Sequence, residues 1–285
     1  MTTEPPWSAE DHDRALDGLA ARENFPVASR LLPARLRADL RAVYGFARLV
    51  DDIGDEAPRA LRTGLLDTVD GDLDLLYEGE TPKLPQIQRL AGTVRARGIP
   101  EEPFRRLVQA NRQDQVVHRY ETFQDLVEYC RLSADPVGRI VLYVFEAAAP
   151  RLLEPSDRVC TALQIIEHCQ DAGQDFRKGR IYLPAEDLRR FGCAPDDLSR
   201  AVTPTRLRGV LALEAGRARN LLDQGAAPLL AELRGWARVA VAGYVAGGRA
   251  ALAALAHGRY DVLAGAPRPR RTALPLRWAR ALGGG

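Results

Sequence analysis

Apolar residues recur along most of this chain at spacings of three and four, interrupted by Pro and Gly, and nowhere settle into a sustained alternation. That period matches the helical turn, so the pattern predicts an all-α protein of about eight to ten helices. Breaks are expected near Pro33, Pro58, Thr81 to Pro85, Gly98 to Pro100, Pro136, Pro150 to Pro155, Gly179 to Pro184, Pro195, Pro204 and Gly265 to Pro269. None is long enough to act as a linker, which predicts a single domain over residues 1–285 with a core at about 20–262. The Arg- and Pro-rich tail, 266–285, differs in composition and reads as a solvated end, with contact to an anionic membrane surface as the minority reading. The apolar stretch Val239 to Gly248 is bounded by Arg238 and Arg249. It falls short of the ~20 residues a spanning helix needs, so no bilayer crossing is expected.

Composition narrows the partners more than the activity. With 46% hydrophobic and 27% charged residues the chain can bury a large core and remain soluble. The 40 basic and 38 acidic residues leave a net charge of +2, which gives no field to attract nucleic acid. Cys130, Cys160, Cys169 and Cys193 form no Cys-x-x-Cys pair and no zinc spacing with the histidines, and the polar N-terminus lacks a secretory pattern. A reduced, cytoplasmic setting is expected, with peripheral contact at the inner membrane face as the alternative.

Chemistry is concentrated in two segments. In Ala42 to Glu56, Tyr44, Arg48, Asp51 and Asp55 step by four, three and four, which places them on one helix face among apolar neighbours. Two carboxylates one turn apart repel each other unless a cation lies between them, and their oxygens suit a hard ion such as Mg²⁺. For this pair alone, a surface cluster closing a helix is an equal reading. Val159 to Asp175 repeats the arrangement: Gln164, Glu167, Asp171 and Asp175 step by three, four and four between more apolar flanks. Four polar groups on such a face need partners. Mg²⁺ is typically held by one or two carboxylates plus substrate phosphates, which two acidic stripes could provide across a cleft. A diphosphate substrate closes the charge balance, with Arg48 and Arg180 as the cations to grip it. Arg177 and Lys178 read as an exposed turn.

The segments Asp51-Asp52-Ile53-Gly54-Asp55-Glu56 and Asp171-Ala172-Gly173-Gln174-Asp175-Phe176-Arg177-Lys178-Gly179-Arg180-Ile181-Tyr182-Leu183-Pro184 together resemble the squalene and phytoene synthase family. Ala28 to Pro33, Tyr120 to Phe123, and Tyr129-Cys130 followed by Val137-Gly138 extend the match over roughly Glu23 to Asp261. The resemblance implies the isoprenoid synthase fold, a single helical bundle around a deep apolar pocket that holds prenyl chains. It also implies Mg²⁺ on Asp51, Asp55, Asp171 and Asp175. Glu167 departs from the wider family, which has Asn there, and reads as a further metal ligand, with a structural pair to a neighbouring base as the alternative. Tyr44, Tyr129 and Tyr182 match positions lining the site, Phe25, Val137 and Leu163 would shape the pocket, and Gln164 would touch substrate. Gln170 stands where the family usually has Arg, and Asp135-Pro136 where it has Gly-type residues. His168 reads as a packed core residue.

Glu23 to Ser29, Ala110 to Asp114 and Tyr129 to Arg139 look most like the bacterial hydroxysqualene synthase branch. That branch takes presqualene diphosphate, ionises it, rearranges the cation and lets water capture it, in squalene and hopanoid formation alongside the enzymes that supply and use these lipids. The competing expectations are a head-to-head prenyl transferase making presqualene diphosphate, dehydrosqualene or phytoene, and a non-catalytic assembly or lipid-binding homologue.

Overall fold

Pro33, Pro58 and Pro204 each stand immediately before a helix, where a fixed φ and a missing N–H cost nothing. The computed structural model describes residues 32–267. In chain order these form α1 (Ala34–Asp55), α2 (Arg59–Glu78), α3 (Pro85–Arg97), α4 (Glu102–Gln113), α5 (Phe123–Ser133), α6 (Asp135–Val144), α7 (Pro150–Arg177), α8 (Ala185–Arg190), α9 (Thr205–Glu232) and α10 (Gly235–His257). A short 3₁₀ helix, Pro195–Ser199, precedes α9. Among the described residues there is no strand, only an isolated parallel bridge between Arg119 and Ile181. The all-α expectation holds. Phe25, the motif from Glu23 to Ser29 and the arginines from Arg268 onward lie outside the described residues.

Two expectations change. The interruption foreseen from Pro150 to Pro155 is instead the start of the 28-residue α7, with Pro155 inside it. Gly225 of α9 approaches so closely that a Cβ there would lie 2.5 Å from the Pro155 carbonyl oxygen, and this packing keeps the segment helical despite the lost backbone bond. The stretch starting at Val239 likewise belongs to a longer helix, α10, whose 23 residues and mean hydropathy of 1.5 would suffice to cross a bilayer. Two thirds of that apolar window, 67%, is buried inside the protein, so α10 is placed as a core helix. Its Ala and Gly residues let it pack tightly: a Cβ on Gly248 would meet Leu163 at 2.6 Å and Leu222 at 3.3 Å.

The described chain divides into two compact units. One runs to Val116 and includes Arg139–Ala148; the other takes Val117–Gly138 and the residues from Ala149 onward. In the first, α1 packs on α2, α3 and α4. Phe46, Leu49, Ile53, Leu66, Leu73, Ile87, Leu90 and Phe104 are fully buried there, and the rings of Phe46 and Phe104 meet edge to face at 5.0 Å. In the second, α7 and α9 pack along each other with α10 against both, around Ile165, Ile166, Leu211, Leu222, Val245 and Leu255.

The second unit also buries a carboxyl that the sequence does not flag. Glu214 on α9 is fully buried and accepts a hydrogen bond from Arg217 Nη1 at 2.7 Å, while the same guanidinium reaches Asp187 of α8 at 2.5 Å and lies over the Phe123 ring at 4.4 Å. Burial, opposed by Arg217 and reinforced by Asp187, pushes the Glu214 carboxyl up to about 8. The folded protein therefore retains a proton that the unfolded chain releases between its ordinary value of 4.5 and about 8, so stability falls as pH rises through that window. Melting temperature measured at pH 6 and pH 8.5 is expected to be lower at the higher pH. Glu214→Gln, neutral at both, should remove most of the difference; an unchanged difference would locate the sensitivity elsewhere.

Candidate active site

On α1, Tyr44, Arg48 and Asp55 are half-buried and Asp51 is exposed, while Val43, Phe46, Leu49, Val50 and Ile53 beside them are buried. The stripe thus opens onto accessible space from a helix that is otherwise core. Asp51 is accessible yet closely surrounded by protein, as on the wall of a recess. That crowding raises its carboxyl to about 6; Asn111 and Arg48 oppose the shift, and the charges of Asp55 and Asp52 add to it. Arg48 pairs with Asp52, one turn on, and its Nε is buried with no hydrogen-bond partner among the described residues. A carboxylate held away from its charged form and an incompletely satisfied guanidinium fit a site that takes both a cation and an anion. The helix stops at Asp55, where Ala57 N–H closes on Asp52 C=O at 3.1 Å and Pro58 forbids continuation.

The second stripe has the same character. Gln164, Glu167 and Asp175 are half-buried and Asp171 exposed, against buried Ile165, Ile166, Cys169 and Ala172 on the same helix. Just past Asp175, Gly179 takes φ +86, which lets Gly179 N–H bond Phe176 C=O at 2.9 Å and Arg180 N–H bond Asp175 C=O at 2.9 Å. The chain then turns so that Ile181 N–H reaches His118 C=O at 2.8 Å and Ala185 N–H reaches Tyr120 C=O at 2.9 Å. This pairing brings Tyr182 beside the acidic helix. Its ring stacks on His168 at 3.8 Å and contacts Tyr129 at 5.4 Å and Tyr120 at 5.8 Å, with the Arg180 guanidinium 5.9 Å from the same ring. His168 is buried, as expected; its Nε2 lies 3.3 Å from Gln164 Nε2 and its Nδ1 lies 3.8 Å from Asp175 Oδ2. Arg177 and Lys178 are exposed.

The sequence-derived residues thus fall into two groups, one per unit. Tyr44, Arg48, Asp51 and Asp55 share a face of α1, and Gln164, Glu167, Asp171 and Asp175 share a face of α7 with Tyr129, Tyr182 and Arg180 nearby. Leu163 is half-buried against Gly248, and Val137, in the first turn of α6, is an exposed apolar side chain. Among the described residues no three of His, Cys, Asp and Glu converge as a ready-made metal site. The acidic pairs offer carboxylate oxygens to a cation whose remaining ligands would come from phosphate and water. Three further residues escaped the sequence reading. Tyr120 joins the aromatic cluster, Tyr244 on α10 is held well above its ordinary range by burial and by Cys160, and Asn111 donates to Asp51. Tyr120 and Asn111 each lie inside a segment that carries the family resemblance, Tyr120 to Phe123 and Ala110 to Asp114, whereas Tyr244 carried no such signal.

An all-α architecture with paired carboxylates on accessible helix faces is that of the isoprenoid synthases. The chain belongs to the squalene/phytoene synthase family, whose model matches residues 20–278. It is 36% identical to the hydroxysqualene synthase of Zymomonas mobilis over 71% of this chain and 68% of that one. It is 37% identical to the hydroxysqualene synthase of Rhodopseudomonas palustris over 74% and 72%. The solved squalene synthase HpnC from Alicyclobacillus acidocaldarius superposes with a TM-score of 0.78 at 37% identity, covering 91% of this chain and 98% of that one. The protein is accordingly an enzyme acting on isoprenoid diphosphates.

Proposed function

We propose that this enzyme is a hydroxysqualene synthase. It ionises presqualene diphosphate with Mg²⁺ and lets water capture the rearranged cation, in squalene and hopanoid formation in the cytoplasm. The observation that carries the reading is the accessible acidic face of α7 beside the Tyr129, Tyr182 and His168 rings. Similarity to two hydroxysqualene synthases at 36% and 37% identity supports this choice among the family's reactions.

Asp51, Asp55, Asp171 and Asp175, with Glu167, would hold Mg²⁺. Bound there, the metal supplies neutralising charge to the diphosphate. Arg48 and Arg180 grip phosphate oxygens as the carbon–oxygen bond breaks and the electron pair leaves with diphosphate. Val137 and Leu163 line the prenyl chains, Gln164 orients the head of the substrate, and Tyr44, Tyr129 and Tyr182 steer the departing anion and the water. The water adds its oxygen to the rearranged cation and gives up a proton, so presqualene diphosphate and water become hydroxysqualene and diphosphate.

Purified protein with Mg²⁺ and no nicotinamide is expected to convert presqualene diphosphate, but not farnesyl diphosphate, to hydroxysqualene, as read by mass spectrometry of the lipid extract. Product from farnesyl diphosphate would move the enzyme to the condensing reactions. No product from either would remove the assignment.

A further inference from the structure

The end of α1 is tied down by side chains from two other helices of its unit. Asn111, buried near the end of α4, donates from Nδ2 to Asp51 Oδ1 at 3.2 Å and to Leu107 C=O at 3.3 Å. Gln115, just beyond α4, donates from Nε2 to Asn111 C=O at 2.9 Å and to Gly54 C=O at 3.2 Å. Its Oε1 accepts from Arg62 Nη1 of α2 at 3.0 Å. The rest of that guanidinium holds the backbone around the acidic motif: Arg62 Nη2 donates to Asp55 C=O at 2.8 Å and Nε to Ala57 C=O at 2.8 Å. The Gly54 and Asp55 carbonyls belong to the last turn of α1, which a helix end leaves without internal partners, and Ala57 follows just past the cap. Gly54 is what allows the close approach. A Cβ at that position would lie 2.0 Å from Asn111 Oδ1 and would drive the amide off Asp51.

We infer that Asn111, braced by Gln115 and Arg62, is a positioning residue that fixes the Asp51 carboxylate for cation binding. The bond to Oδ1 selects one side-chain rotamer of an accessible aspartate. The Gln115 and Arg62 contacts lock the backbone on which Asp51 and Asp55 keep their one-turn separation. A ligand restrained before the cation arrives loses less conformational freedom on binding. Hydrogen-bonded partners behind a ligand typically contribute about 10–100-fold in metal affinity. The inference rests on the proposed role of Asp51 as a cation ligand.

The test is a titration of Mn²⁺ into the full-length protein with inorganic pyrophosphate present, following free Mn²⁺ by electron paramagnetic resonance, for wild type, Asp51→Asn, Asn111→Leu and Gln115→Leu. Asn111→Leu is expected to raise the half-saturating Mn²⁺ concentration about tenfold. Gln115→Leu should raise it in the same direction. Wild-type Mn²⁺ binding by Asp51→Asn would overturn the ligand role itself. Impaired Asp51→Asn with wild-type binding by Asn111→Leu would overturn the positioning role alone, since a purely structural Asn111 lowers the melting temperature without moving the metal titration. Should Asn111→Leu fail to fold, Gln115→Leu, altered at a half-buried position, decides by the same criterion.

Discussion

Asp51→Ala and Asp171→Ala proteins that retain their helical circular dichroism are expected to turn over presqualene diphosphate at less than about one thousandth of the wild-type rate, roughly 4 kcal/mol of barrier. The proposed reaction begins with loss of the multiply charged diphosphate into a site that Val137, Leu163 and the tyrosine rings would line. Charge developing on that group is stabilised only by what is fixed in place beforehand. Each pair contributes through the cations it would hold, so removing one carboxylate from either helix forfeits several kcal/mol of that stabilisation. Single-turnover loss of substrate, followed by mass spectrometry, measures the step directly. Wild-type turnover by Asp171→Ala with unchanged metal dependence would remove α7 from the mechanism.

The largest expected effect on stability lies at the other end of α1. Asp39 accepts from Thr93 Oγ1 at 3.0 Å, Arg97 Nε at 3.0 Å and Arg97 Nη2 at 2.7 Å, joining α1 to α3. The Arg97 side chain is only 5% exposed, and its second carboxylate partner, Glu146, is 72% exposed. Asp39→Ala would strip a buried hydroxyl of its acceptor and leave a buried guanidinium with only the exposed Glu146, so a loss of about 3 kcal/mol is expected. Urea unfolding should show a lower midpoint with an unchanged slope. A loss under about 1 kcal/mol would mean that the pair behaves as an exposed one. Replacing Asp39, Thr93 and Arg97 together by apolar residues of similar volume should recover much of the loss, because it is the buried charge stripped of its buried partner that destabilises.

The stripes on α1 and α7 were legible in the sequence because periodicity is a local property. Tyr44 to Asp55 and Gln164 to Asp175 announce a helix face through their spacing, and Gly179 announces the turn that ends the second. Asn111 was not legible as a partner of Asp51, since the contact spans 60 residues and follows no period. The same holds for Arg217, which joins residues 30 apart on α8 and α9. Pro155 misled for a related reason: proline is a strong local stop, yet a close neighbour on α9 overrides it. The extent of α10 was underestimated because Arg249 interrupts its apolar run. That side chain pairs with Asp223 at 2.8 Å on the exterior while the helix continues beneath it.

Both acidic motifs occupy the last turns of long helices, Ala34–Asp55 and Pro150–Arg177. There the aligned peptide dipoles present their negative pole, so the carboxylates of Asp51, Asp55, Asp171 and Asp175 stand at the electrostatically worse end of each helix. Arg62 on the last carbonyl of α1 and Arg177 in the last turn of α7 offset this only in part, and a cation bound at the carboxylates would relieve the side chains and the helix terminus together. Ligand binding and the integrity of these final turns are then one linked equilibrium. With the proposed cations, the two helices would reach their most stable state only when the site is filled.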